Sequence, residues 1–220
     1  MNYKLGILGG MGPSATCSLY QRIIDHTKAD FDQDHIKMVI LNNCDTPDRT
    51  LALTENGIDP LSYLNDGIKT LVSLGCEYFV IPCNTAHAFS KDFIMQDKII
   101  FINMIEEVNK KLEKYQDKKV CVLCTNGTRM THIYDSPNLD INYPHNQDLV
   151  MQVITNTKAG IDELNELQNI IDKEKEIDIF LLACTELSLY KDRLKTDKII
   201  IDAMDVLVES IIKACNKEYK

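Results

Sequence analysis

The sequence predicts an α/β protein of two pseudo-symmetric three-layer lobes, each built on a mainly parallel four-stranded sheet, with the functional site in the cleft between them. Three observations carry this. Short apolar runs alternate with helix-compatible segments along the chain, joined by short connections, which is the pattern of parallel βαβ units. One design also occurs twice: FVIPCNTAHAF at Phe79–Phe89 and IFLLACTELSL at Ile179–Leu189 each run an apolar stretch into a cysteine followed by hydroxyl or amide residues. Finally, KIIFINMIEEV from Lys98 and KIIIDAMDVLV from Lys198 share their start and place Met104 and Met204 at matching positions. Such self-similarity predicts an internal duplication. The division expected is 1–103 with 204–220 as the lobe of Cys83, and 104–203 as the lobe of Cys184.

In chain order, Lys4 to Gly10 is a strand running into MGP, where two glycines and a proline let the backbone turn tightly against a ligand. Ser14 is expected to cap the helix that follows, with Leu19, Ile23 and Ile24 at helical spacing. Ile36–Asn42 is a second strand emptying into the polar loop NNCDTPDRT, and Asp59–Leu74 is a helix ended by Gly75. The Cys83 strand, a helix from about Ala86 and a strand at Lys98–Asn103 complete the first set. After a helix at Ile105–Tyr115 the pattern restarts. Lys118–Leu123 is a strand entering CTNGT, helices cover Met130–Asp135, Gln147–Lys158 and Ile161–Glu174, and the Cys184 strand leads to a helix at Leu187–Leu194 and a strand at Lys198–Asp202. The last helix is expected to pack back on the first lobe.

Composition narrows the function classes. A chain of 220 residues, 45% hydrophobic and 26% charged, buries a core of ordinary size. Its longest apolar runs fall far short of the roughly 20 residues that span a bilayer, and the early Gly-rich turn leaves no room for a signal peptide. A cytoplasmic protein is expected. The net charge of -9, with no basic run to offset it, disfavours nucleic acid and anionic membrane surfaces. Eight cysteines scattered through apolar segments of a chain this size read as reduced thiols.

Two of those thiols suggest chemistry. A cysteine at each of two strand tips, beside the unpaired N–H groups that open a helix, has the setting that lowers a thiol's pKa toward neutrality. Inverting a carbon centre needs a base on one face and an acid on the other, and a thiolate with a thiol supplies both. Asn84, Thr85 and Thr185, with the amides behind them, suit a carboxylate and the charge that develops on it. The remaining cysteines lack partner spacing; Cys121 and Cys124 form a CxxC that a strand would turn to opposite faces. Arg49 suits bidentate capture of a carboxylate. Lys158, read from its helix alone, is a capping residue, and His87 a helix residue near the sheet. His35, His132 and His145 lack metal-ligand spacing, and no metal site is expected.

Together ILGGMGP at Ile7–Pro13, PDRT at Pro47–Thr50, PCNTAHAF at Pro82–Phe89 and ACTELSL at Ala183–Leu189 resemble the aspartate/glutamate racemase superfamily, most of all its cofactor-independent aspartate racemases. The resemblance implies two α/β lobes, a two-base mechanism without pyridoxal phosphate or another cofactor, a homodimer, and a small acidic amino acid, aspartate or glutamate, as substrate. By motif it makes Cys83 and Cys184 the acid/base pair. It puts Asn84, Thr85 and Thr185 at the α-carboxylate, Met11 and Gly12 on the floor, and Arg49 and Lys158 at the side-chain carboxylate. Asp48 and Thr50 beside Arg49, Ala86 after Thr85, Thr125 in CTNGT, and Glu186 join the substrate-binding set, Glu186 orienting Cys184 or a neighbouring amide. Glutamate racemases resemble one another in an Asp-Ser after the first strand and a His after the second Cys-Thr; Gly9-Gly10 and Glu186 stand there in this chain. Maleate isomerisation, malonate decarboxylation and non-catalytic binding of an acidic metabolite are the alternatives on such a fold.

Overall fold

The computed structural model describes residues 2–95 and 99–220; Lys98, the expected start of the fourth strand, lies outside them. Among the described residues, eight strands form two separate sheets. The first contains β1 (Tyr3–Gly9), β2 (Met38–Asn42), β3 (Cys76–Val80) and β4 (Ile100–Phe101) in the order β2-β1-β3-β4. The second contains β5 (Lys119–Cys124), β6 (Asp140–Asn142), β7 (Ile179–Ala183) and β8 (Ile199–Asp202) in the order β6-β5-β7-β8. Every pairing between these strands is parallel. The two sheets therefore repeat one topology, with β1 matching β5 and the cysteine-bearing β3 matching β7. Parallel strands need crossovers, and helices supply four of them: α1 (Pro13–His26) between β1 and β2, α2 (Arg49–Thr54) and α3 (Leu61–Ser73) between β2 and β3, α5 (Asn126–Met130) between β5 and β6, and α6 (Gln147–Lys158) and α7 (Leu164–Lys173) between β6 and β7, while α4 (Met104–Leu112) leads from the first sheet to the second and α8 (Ala203–Ala214) follows the last strand.

Strand residues alternate between two apolar layers, as buried parallel sheets require. Leu5 and Ile7 of β1, Val120 and Val122 of β5, and Ile179 and Leu181 of β7 share a central layer with α1, α4 and α8. Leu8 and Phe79 face an outer layer with Leu64 and Ile68 of α3, while Phe180 and Leu182 face another with Val153 of α6 and Leu167 of α7. Helix α8 packs on α1 and α4 as well as on β7 and β8. All eight cysteines are free. Cys121 and Cys124 do face opposite sides of β5, one in each layer, and burial pushes both thiols up. No described helix is long and apolar enough to cross a membrane.

Several local expectations change. Helix α1 begins at Pro13 with Gly12 as its N-cap, so Ser14 is already inside the helix and caps nothing; proline's fixed φ and missing N–H suit that first position. Gly10 adopts φ +90°, and a Cβ there would lie 2.5 Å from the Asn43 backbone. The segments after both cysteines are 3₁₀ rather than α-helical, Thr85–Asp92 and Leu187–Arg193. Part of the polar loop folds as α2, because Asp48 Oδ1 accepts from the N–H groups of Thr50 at 2.7 Å and Leu51 at 3.0 Å. The helix expected at Met130–Asp135 forms earlier, as α5, because Thr125 caps it through a bond from Thr128 N. Strand β6, only three residues, carries too short a pattern to be legible.

Candidate active site

Because both sheets are parallel, their carboxyl ends gather the turn after β1, the loop after β2, the tips beyond β3 and β7 and the turn after β5. One small cavity lies there. Its walls are Met11, Asp48, Arg49, Thr50, Cys83, Asn84, Thr85, Thr125, Lys158, Cys184, Thr185 and Glu186. These are the sequence-derived residues with two exceptions. Gly12 stands just behind, where a Cβ would sit 3.6 Å from Glu186 Oε1. Ala86 does not reach the wall: the 3₁₀ turn carries its methyl group into the outer apolar layer of the first sheet, where it is fully buried.

Cys83 and Cys184 are 6% and 5% exposed, so both sulfurs meet the cavity from largely dry surroundings. The surroundings differ. Cys184 Sγ donates to Glu186 Oε2 at 3.0 Å, and Thr185 Oγ1 donates to the same oxygen at 3.2 Å. Burial, reinforced by the Glu186 carboxylate and opposed by Lys158, pushes the Cys184 thiol well above its ordinary range. The expectation that a helix N-terminus lowers both thiols is thus corrected at Cys184, where desolvation and a carboxylate outweigh the backbone. Near Cys83, the position matching Glu186 is Thr85, a neutral hydroxyl. Thr85 Oγ1 bonds to Thr125 Oγ1 at 2.8 Å and Thr128 Oγ1 at 3.0 Å, knotting the first half to the second. Gly127 permits that approach, since a Cβ would lie 2.9 Å from Thr85 Cγ2 and 3.1 Å from Thr50 Cα.

Two cations flank the sulfurs. The Arg49 guanidinium is fixed by backbone carbonyls: Nη1 donates to Pro47 O at 2.9 Å and Thr46 O at 3.3 Å, and Nη2 to Met11 O at 3.2 Å. Its Nε is buried without a partner among the described residues, as is Asn84 Nδ2. Lys158 ends α6 and faces the cavity. Burial pulls its ammonium down, but the Glu186 carboxylate, first, and the two neighbouring sulfurs outweigh burial and the repulsion of Arg49, and its pKa is raised.

Sequence reading missed two contributors. Tyr134, fully buried, donates its hydroxyl proton to Asn84 Oδ1 and so fixes the amide with Nδ2 available. Thr128 closes the threonine knot; its signal was the TNGT run after β5. His87 is settled as a support. Its Nδ1 donates to Cys83 O at 2.9 Å and its Nε2 accepts from Met104 N at 3.2 Å, and burial lowers its pKa to about 4. A neutral imidazole bonded at both nitrogens has no proton to exchange with the cavity.

A doubled parallel α/β fold thus brings one thiol from each half to the walls of a single cavity. The Asp/Glu/hydantoin racemase family model matches residues 8–211, and the chain belongs to that family. It is an amino-acid racemase by that relationship. Its sequence is 28% identical over 228 residues to the broad specificity amino-acid racemase RacX of Bacillus subtilis (strain 168), across 94% of this chain and 96% of that one. Its structure is similar to an aspartate racemase from Picrophilus torridus, with a TM-score of 0.89, 34% identity, and 99% and 96% of the two chains covered. A glutamate racemase from Bacillus anthracis shares the fold at 17% identity and a TM-score of 0.70, over 96% and 82% of the chains.

Proposed function

We propose that the chain racemises an acidic amino acid, aspartate or glutamate, by a two-base exchange between Cys83 and Cys184 that needs no pyridoxal phosphate. The observation that carries this reading is the lining of one small cavity by two cysteines, one from each half, together with two cations. One sulfur removes the α-proton as the other delivers a proton to the opposite face, and the roles exchange with the handedness of the substrate. Asn84, Thr85 and Thr185 take the α-carboxylate, whose charge grows as the carbanion forms. Arg49 and Lys158 take the second carboxylate, and the unpartnered Arg49 Nε and Asn84 Nδ2 are donors that such a ligand would satisfy.

The same reading places the chain in the cytoplasm as a homodimer, divided into lobes 1–103 with 204–220 and 104–203. A family that includes glutamate racemases and a relative of broad specificity make the substrate the point to test. Incubating the protein with each enantiomer of aspartate, glutamate, alanine and arginine, and resolving the products by chiral chromatography, should give inversion with the two acidic amino acids and far less with the others. Equal turnover of alanine or arginine would reject the acidic specificity, and inversion of none of them would favour a binding role or diacid chemistry.

A further inference from the structure

The two sulfurs occupy matching places in matching sheets, yet they do not meet matching partners. Two residues beyond Cys184 stands Glu186, whose Oε2 accepts from Cys184 Sγ at 3.0 Å. Two residues beyond Cys83 stands Thr85, engaged with Thr125 and Thr128, and no carboxylate bonds to Cys83 Sγ among the described residues. Glu186 is itself held: Thr185 Oγ1 donates to its Oε2, its other oxygen lies against the space beside Gly12, and the residue is 8% exposed. A buried carboxylate that accepts an S–H bond favours the thiol over the thiolate, since losing that proton would set two negative charges in contact.

We propose that Glu186 is a positioning residue that holds the resting proton on Cys184, so that of the two sulfurs Cys83 gives up its proton first while Cys184 stays a thiol. This rests on the racemase reading. From that state one enantiomer is served directly. The substrate α-proton passes to the Cys83 thiolate, its bonding electron pair stays on the α-carbon, and the Cys184 proton is delivered to the opposite face. The product leaves behind a Cys83 thiol and a Cys184 thiolate. The other enantiomer needs this second state, in which Cys184 is the stronger base because Glu186 opposes its negative charge. Lys158, which senses both sulfurs, keeps the state accessible. Between turnovers the proton returns from Cys83 to Cys184 through solvent, drawn by Glu186.

The test is residue-resolved alkylation of the intact protein with iodoacetamide, which reacts with thiolates, read by peptide mass spectrometry across pH. At pH 7 Cys83 should be labelled at least about tenfold faster than Cys184, and the rise in Cys184 labelling should come more than about one pH unit higher. In Glu186→Gln, Cys184 labelling should speed up about tenfold and its pH dependence move down, while the Cys83 rate, a check that the site is intact, changes less than about twofold. Equal labelling of the two cysteines in the unaltered protein overturns the proposal, and so does a Cys184 profile that Glu186→Gln leaves in place. The unaltered protein alone decides the first point if the variant does not fold. Labelling needs no turnover, so a failed racemisation assay would remove the proposed function while leaving the protonation result readable.

Discussion

The half of the molecule that carries Cys83 and the half that carries Cys184 share strand order, cysteine position and following helix, but they are wired differently. In the first half, His87, four residues beyond Cys83, reaches the N–H of Met104 at the start of α4. In the second, Ser188, four residues beyond Cys184, donates to Asp202 Oδ1 at 2.6 Å, and that oxygen also takes the N–H of Met204 at 2.9 Å. Arg22 of α1 closes the second tether, donating to Asp202 Oδ2 at 2.9 Å and to Ser188 O at 2.8 Å and pairing with Asp205. The same mechanical task, tying the segment after a cysteine to the next helix, is done once by a neutral ring and once by a carboxylate with a cation. The lesson is that the repeat preserves where groups must be and leaves open which charges hold them.

The largest expected effect removes the symmetry altogether. Cys83→Ser and Cys184→Ser should each lower racemisation by about 10³-fold in both directions, because either replacement leaves one face without an effective acid or base. Loss in one variant with near-normal turnover in the other would show that only one half carries the chemistry. Next come the cations, one from each half. Arg49→Ala and Lys158→Ala should each raise KM for aspartate roughly 10–100-fold, the worth of a charged hydrogen bond; a change confined to kcat would put the lost interaction in the transition state.

The tethers should titrate in opposite senses. Burial lowers His87 from 6.5 to about 4 in the folded protein, so between those values only the unfolded chain takes the proton and stability falls as pH falls. Burial, reinforced by Asp205 and opposed by Arg22, raises Asp202 from 3.8 to about 6, so between those values only the folded chain holds the proton and stability rises as pH falls. Each contributes on the order of 3 kcal/mol across its window, and the two offset one another. Urea unfolding at pH 7 and pH 5 should show Asp202→Asn losing stability on acidification relative to the unaltered protein, and His87→Gln gaining it. Parallel responses would mean that the tethers are not the titrating groups. The smallest effect is Ser188→Ala, about 1 kcal/mol, since Asp202 keeps Arg22 and the Met204 amide.

What the sequence made legible was whatever repeats or alternates. Both cysteine tips stood out by their doubled pattern, the strands by their apolar runs, and Arg49 and Lys158 by motifs the resemblance explained. The 3₁₀ character of the post-cysteine turns, the three-residue β6 and the short α2 left no periodicity to find. Tyr134 on Asn84, and Thr128 on Thr85, are partners brought together only by the tertiary fold, and no local spacing announces them. The carboxylate beside Cys184 was visible as a residue, but its effect on the thiol depends on burial and a 3.0 Å contact that only the structure supplies.

Two thiols of opposite duty leave an isotopic signature. With L-aspartate in deuterated water and conversion held to a few per cent, the D-aspartate formed should carry deuterium at the α-carbon while the recovered L-aspartate remains almost wholly protiated. Deuterium appearing equally in substrate and product, or product that keeps the original hydrogen, would contradict the exchange between Cys83 and Cys184.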